Sequence, residues 1–294
     1  MRVVYGHTDS IYVKVDSIEK AKAAVVEINN HVRELFPNLL GLAQHPVVLE
    51  FEKYYSSLGV GATKNRNAGL ISWKDGYDLE SPEFVMTGFT AKRISETPLA
   101  KEVQMQVLKM WLNDCSFKEI NSWLNSKYLS IINSDFSKVD IIKRSRLKVD
   151  RFTVKCPQCN KKYKLENCYS INFCEKCGTL KNQFVTLQNK RPTLSEGVAG
   201  ILYGKEKLGM DYDDSFLFMK VKPTDTFTHP LTDEKKSAEY YSATTLDDFK
   251  EVNPDLNYYA NVVIKKAQPI YKAMGWNTDA IRTGRIQTSF EDWW

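Results

Sequence analysis

Two sets of residues in this sequence have types and spacing suited to metal chemistry. Asp9 lies in the run Tyr5-Gly6-His7-Thr8-Asp9-Ser10, between two short apolar stretches, Arg2 to Tyr5 and Ser10 to Val15. Turn-forming residues between two such stretches predict a β-hairpin with Asp9 at its tip. A carboxylate held there suits Mg2+, a hard cation that prefers oxygen ligands, although the same residue types also build an ordinary turn. The second set is Cys156, Cys159, Cys174 and Cys177, two Cys-x-x-Cys pairs separated by fourteen residues. That spacing is close to a zinc ribbon, in which each pair presents two thiolates and the four close a tetrahedral site around Zn2+. A closed site of this kind is a structural staple; redox or disulfide use, and iron, are the alternatives. Cys168 and Cys115 read as buried apolar residues.

The elements that must position these residues follow from hydrophobic spacing. Ser17 caps a helix whose apolar positions are Ala24, Val25, Ile28, Val32 and Leu35, ending before Pro37. Val47-Val48-Leu49, Tyr54-Tyr55, Leu70-Ile71 and Phe84-Val85 then read as strands of an antiparallel sheet. Thr97-Pro98 opens a helix to about Asn113, and Ser116 caps another through Ile132. After the cysteine segment, helical spacing resumes from Leu194 to Leu208, with a strand at Ser215 to Val221 and a helix from Asn257 to Met274. The last ten residues read as an exposed tail.

With 294 residues and 43% hydrophobic content, the chain can bury one substantial core and a second. Its 41 basic and 36 acidic residues leave +5, too small an excess to argue nucleic-acid binding alone. No apolar stretch approaches the ~20 residues that span a bilayer, so no membrane partner is expected and the expected location is cytoplasmic.

Several segments, taken in order, carry a resemblance. Tyr5 to Ser10, then Lys64-Asn65-Arg66-Asn67-Ala68-Gly69-Leu70, then Gly88-Phe89-Thr90-Ala91-Lys92-Arg93 with Pro98-Leu99-Ala100-Lys101-Glu102 resemble, in order and spacing, the carboxy-terminal part of a family B DNA polymerase. Tyr258-Tyr259, Pro269 and Gly275-Trp276 are similar to the family's final thumb helix. The resemblance implies an α+β fold: a partial palm with antiparallel sheet and helix, followed by a mainly helical thumb with a zinc-ribbon insert. The corresponding divisions are 1–95 for the C-terminal part of the palm, 96–150 and 182–280 for the thumb, 151–181 for the ribbon, and 281–294 for the tail.

The resemblance also implies roles. Asp9, with Thr8 and His7 beside it, belongs to the catalytic site and is a ligand of Mg2+ in two-ion nucleotidyl transfer from dNTP. The family usually has Asp at the position of His7, Lys at Asn65 and Tyr at Asn67. Imidazole is a poor Mg2+ ligand, so His7 is read as a hydrogen-bonding residue. Lys64, Arg66, Lys92 and Arg93 are expected to track the phosphates of primer-template DNA, with Lys92-Arg93 on a strand neighbouring that of Lys64 and Arg66. Lys143-Arg144-Ser145-Arg146 and Asn189-Lys190-Arg191 are further basic segments of the thumb. In the family, the exonuclease, the fingers and the first palm carboxylate lie upstream of this hairpin, whereas this chain starts at Met1. A large subunit carrying them is therefore the expected partner, making this chain the small subunit of a split enzyme. A non-catalytic DNA-binding accessory protein is the alternative.

In the tail, Gln287, Phe290, Trp293 and Trp294 have the spacing of peptides that dock on sliding clamps. One helical turn would place the three apolar rings together, with Gln287 hydrogen-bonding beside them. Packing of these rings on the chain's own core is the alternative.

Overall fold

The computed structural model describes residues 1–6, 10–61, 65–187, 191 and 193–285. The chain divides into two units: Met1–Phe89, Gln106–Ile120 and Pro269–Trp276 form one, and Thr90–Met105, Asn121–Gln268 and Asn277–Trp294 the other. The architecture is α+β, with antiparallel sheets and helices. No helix among the described residues is long and apolar enough to cross a membrane.

The first unit opens with strands β1 (Arg2–Gly6) and β2 (Ile11–Lys14), an antiparallel pair in which Tyr5 faces Tyr12 and Gly6 faces Ile11. Helix α1 (Ile18–Leu35) starts at Ser17, whose Oγ accepts the Lys20 amide at 3.2 Å. Its apolar stripe is only partly covered. Ala21 and Ala24 are buried, while Val25, Ile28 and Val32 are half-buried and Leu35 is exposed.

The expected strand at Val47-Val48-Leu49 does not form. Asn29 of α1 instead clamps Leu49 from both sides, its Oδ1 accepting the Leu49 amide and its Nδ2 donating to the Leu49 carbonyl, each at 2.8 Å. These side-chain bonds satisfy the backbone groups that a sheet ladder would use. The sheet is β3 (Lys53–Val60), β4 (Asn67–Lys74) and β5 (Tyr77–Thr87), with β4 in the centre. Ala68 through Ile71 and Trp73 are all buried. Gly59 lets Trp111 lie against β3, because a Cβ there would meet the indole at 2.0 Å.

In the second unit, α2 (Pro98–Leu112) begins where Thr97 Oγ1 accepts the Ala100 amide, and α3 (Phe117–Ile132) begins with a reciprocal capping box between Ser116 and Glu119. Both helices also contribute residues to the first unit. Strand β6 (Lys143–Arg146) is the edge of a three-stranded sheet. The cysteine segment follows with β7 (Thr153–Lys155), β8 (Lys162–Lys164) and β9 (Val185–Thr186), in the order β8-β7-β9. Helix α4 (Glu196–Leu208) ends on left-handed Gly209 and packs on the sheet formed by β6, β10 (Ser215–Lys220) and β13 (Tyr240–Ala243). A short hairpin, β11 (Thr226–Thr228) with β12 (Lys235–Ser237), lies between β10 and β13 in the chain. Helix α5 (Leu256–Met274) buries Tyr259, whose Oη accepts the Lys220 amide at 2.7 Å. The short α6 (Asp279–Thr283) is held to α3 by Asn121 and Asn125 side chains donating to the Ala280 and Ile281 carbonyls.

Candidate functional site

His7, Thr8 and Asp9 lie outside the described residues, but the strands that carry them are anchored. The Tyr5 and Tyr12 rings are 5.4 Å apart, and Tyr12 is 5.9 Å from Tyr55 on β3. Gly69 on β4 makes this packing possible, because a Cβ there would meet the Tyr55 ring at 2.5 Å. Tyr5 Oη donates to Asn65 Oδ1 at 3.1 Å, tying β1 to the loop between β3 and β4. Burial raises the Tyr55 phenol far above its ordinary value, so the ring stays neutral and takes part as an apolar contact.

Lys64 also lies outside the described residues. Arg66 is half-buried in the loop just before β4, and its carbonyl accepts the Gly61 amide at 2.7 Å. Asn65 is left-handed, with φ +62°. Asparagine tolerates that region far better than most residues do, a physical reason for its presence at this turn. Gly88 fits against the same loop: a Cβ there would lie 2.0 Å from the Asn65 carbonyl oxygen, and its φ of +74° independently favours glycine.

Lys92 and Arg93 are exposed, at and after a 3-10 turn spanning Thr90–Lys92. They are not on a strand, because β5 ends at Thr87 and left-handed Gly88 turns the chain away. The turn is clasped from within its own unit. Oε1 of buried Gln104 accepts the Ala91 amide at 2.8 Å and the Thr90 hydroxyl at 3.1 Å. Lys266 Nζ donates to Thr90 Oγ1 at 2.7 Å and pairs with Glu96. Sequence reading missed Gln104 and Lys266, since nothing local distinguishes a helical glutamine or lysine that reaches a distant turn.

The four cysteines do come together. Their Sγ atoms all lie within 4.8 Å of one another, and the Cys156–Cys177 and Cys159–Cys174 separations are both 3.5 Å. No disulfide joins them. A tetrahedral Zn2+ with sulfur at ~2.3 Å requires S–S separations of ~3.8 Å, so the donor set fits this ion. The two pairs sit on matching turns. The Asn160 amide donates to the Cys156 carbonyl and the Gly178 amide to that of Cys174, while the Cys156 and Cys174 amides donate to the Lys161 and Thr179 carbonyls. Asn160 and Gly178 occupy the same left-handed position, at φ +58° and +73°.

Burial alone would raise the Cys174 thiol. Hydrogen bonds from Tyr163 Oη, at 3.2 Å, and from the Lys176 and Cys177 amides outweigh burial and bring it down to about 6. Cys159 behaves in reverse: the Lys161 amide favours its thiolate, but burial and the neighbouring sulfurs push it up to about 11. Crowding of sulfurs that resist sharing negative charge is what a central cation relieves. Cys168 is fully buried outside the quartet, and burial pushes its thiol up to about 11. Val154, Leu165 and Phe184 of this segment share one core with Val198 and Leu202 of α4 and with Phe227 and Leu231.

The sequence profile described as DNA polymerase family B matches residues 1–272. The chain belongs to DNA polymerase family B. Among curated relatives it is 28% identical over 162 residues to the DNA polymerase zeta catalytic subunit of Arabidopsis thaliana, covering 52% of this chain and 8% of that protein. It is 26% identical over 144 residues to the corresponding subunit of Drosophila melanogaster, covering 48% and 6%. The chain therefore spans less than a tenth of the length of these relatives. Among solved structures, the family B DNA polymerase of the hyperthermophilic archaeon Pyrobaculum calidifontis is similar at 18% identity with a TM-score of 0.49, covering 94% of this chain and 27% of that one. Gln287, Phe290, Trp293 and Trp294 lie outside the described residues.

Proposed function

We propose that this chain is the small subunit of a split family B DNA-directed DNA polymerase. It contributes Asp9 to a composite active site, a thumb that grips primer-template DNA, and a tail that docks on a sliding clamp. Beyond family membership, the observation that carries this reading is the condition of the β1–β2 pair. Among the described residues no third strand pairs with it, and Val3, Val4 and Ile11 are exposed. An unpaired edge beside exposed apolar side chains favours covering by further polypeptide, which in this reading is a second subunit. A large subunit with the first palm carboxylate, fingers and exonuclease would supply it.

In this reading Asp9, with the partner's carboxylate, would hold two Mg2+ ions; when bound, these help the primer 3′-hydroxyl attack the α-phosphate and stabilise the pyrophosphate that leaves. Thr8 and His7 flank Asp9. Arg66, Lys64, Lys92 and Arg93 would hold duplex phosphates without reading sequence. Gln104 and Lys266 would keep the Lys92-Arg93 turn in shape. The ribbon would carry one structural Zn2+ at Cys156, Cys159, Cys174 and Cys177. A non-catalytic DNA-binding accessory role is the second reading, favoured by His7 standing where the family usually has Asp.

Primer extension by the purified chain, its large partner and their mixture separates the two readings. We expect extension by the mixture alone, falling by roughly 100-fold or more in Asp9→Ala, since a metal ligand supports several kcal/mol of transition-state stabilisation. Extension that is indifferent to Asp9→Ala would leave the accessory role. For the tail, calorimetry with the clamp should show binding that disappears when residues 286–294 are removed; equal affinity without them would refute clamp docking.

A further inference from the structure

We infer that the groove beside the ribbon, with the lysine face of β7 and β8, binds single-stranded DNA. The inference deepens the polymerase reading, but its test needs neither catalysis nor a partner chain, so the two can fail separately. In the β7–β8 ladder, Val154 pairs with Tyr163 on the buried face. On the other face Lys155 stands directly opposite Lys162, with Thr153 opposite Lys164. Like charges directly opposed across a ladder destabilise it, and a polyanion would turn that arrangement to use. Lys162 and Lys164 are exposed on the edge strand β8, and among the described residues Lys162 has no carboxylate partner.

The second observation is independent of the first. Lys164 also lines a groove of about 600 Å³ whose lining is mainly apolar and includes Leu147, Phe152, Leu165 and Tyr169. Lys205 lines it too, and the exposed Arg146 and Lys148 stand on either side of Leu147 in the chain. Two carboxylates line it as well, both already engaged: Glu206 accepts the Thr228 amide at 2.7 Å and Glu166 lies 3.7 Å from Lys164. An apolar groove with Phe152 and Tyr169 in its wall and Lys164 and Lys205 in its lining matches an unstacked base with its flanking phosphates. A duplex, whose bases stay stacked inside, has no base to offer the groove.

Fluorescence anisotropy on the full zinc-loaded chain, with a labelled oligothymidylate and a duplex of equal length, tests this. Lys162→Ala, Lys164→Ala and Lys205→Ala combined should weaken single-strand binding about tenfold or more and lower its salt slope by ~2, with duplex affinity little changed. Tyr169→Ala should weaken single-strand binding by about tenfold through lost stacking. Zinc content and circular dichroism equal to the parent establish that both variants fold. Unchanged single-strand affinity, or equal losses for single strand and duplex, would overturn the inference; the latter would leave only a general phosphate patch.

Discussion

The ribbon and the β1–β2 hairpin are both small pieces of sheet, of three and two strands, yet they bury their side chains in opposite ways. In the ribbon, Val154, Cys156, Cys168 and Phe184 are completely buried, and Tyr163 stacks on Phe184 at 5.0 Å. Its sheet is closed at one end by the four thiols and backed by α4, so its apolar side is finished within its own unit. In the hairpin, Val3 is 61% exposed, and among the described residues the side-chain contacts that hold the pair include the Tyr5, Tyr12 and Tyr55 rings and a hydrogen bond to Asn65. A few apolar residues can be fully ordered when a cross-link supplies what the core lacks. Without one, order depends on neighbours, which among the described residues leave Val3, Val4 and Ile11 exposed.

Three changes would break or sharpen that contrast. The largest effect is expected from Cys174→Ser, which removes one thiol from the proposed zinc site. Structural zinc contributes on the order of 10 kcal/mol to folding of small sites, so the variant should lose its one equivalent of zinc and become cleavable within 153–187. Metal analysis and limited proteolysis read this out, and full zinc retention would contradict the four-thiolate assignment.

A smaller loss, about 1–3 kcal/mol, is expected from Gly88→Ala, through the left-handed backbone and the Cβ forced onto the Asn65 carbonyl. Because Asn65 also receives Tyr5, amide exchange should rise in β1 as well as near Gly88, while the ribbon remains protected. Exchange confined to residue 88 would mean that the hairpin does not depend on this loop. The smallest effect on the isolated chain should come from Val3→Lys, within about 0.5 kcal/mol by denaturant titration, because the side chain already faces solvent. Assembly with the proposed large subunit, measured by calorimetry, should nevertheless weaken; unchanged assembly would remove β1 from the proposed interface.

The parts of the fold that were legible in the sequence were those whose cause is local. Ser17, Thr97 and the Ser116–Glu119 pair start their helices because a short side chain meets amides three residues on, a relation fixed by spacing alone. The cysteine quartet was legible for a related reason: two like turns, each set by a few residues, needed only to face each other. Val47 and Val48 misled because β-branched residues suit a strand, but the bonds that Asn29 makes to Leu49 come from a helix twenty residues away. Strands β6 and β12 carry Lys143-Arg144-Ser145-Arg146 and Lys235-Lys236-Ser237, sequences with almost no apolar alternation to reveal them. Their order as strands exists only through pairing with β10 and β11.

The sequence by itself determined the helix starts, the four-cysteine cluster and the family, through spacings and an order of motifs that survive without coordinates. Only the tertiary structure decided that Gln104 and Lys266 hold the Lys92-Arg93 turn, that Gly88 admits the Asn65 loop, that Lys155 stands opposite Lys162, and that Lys164 lines a mainly apolar groove. Each of these joins groups whose meeting depends on how strands register and helices pack, and no one residue's chemistry encodes it.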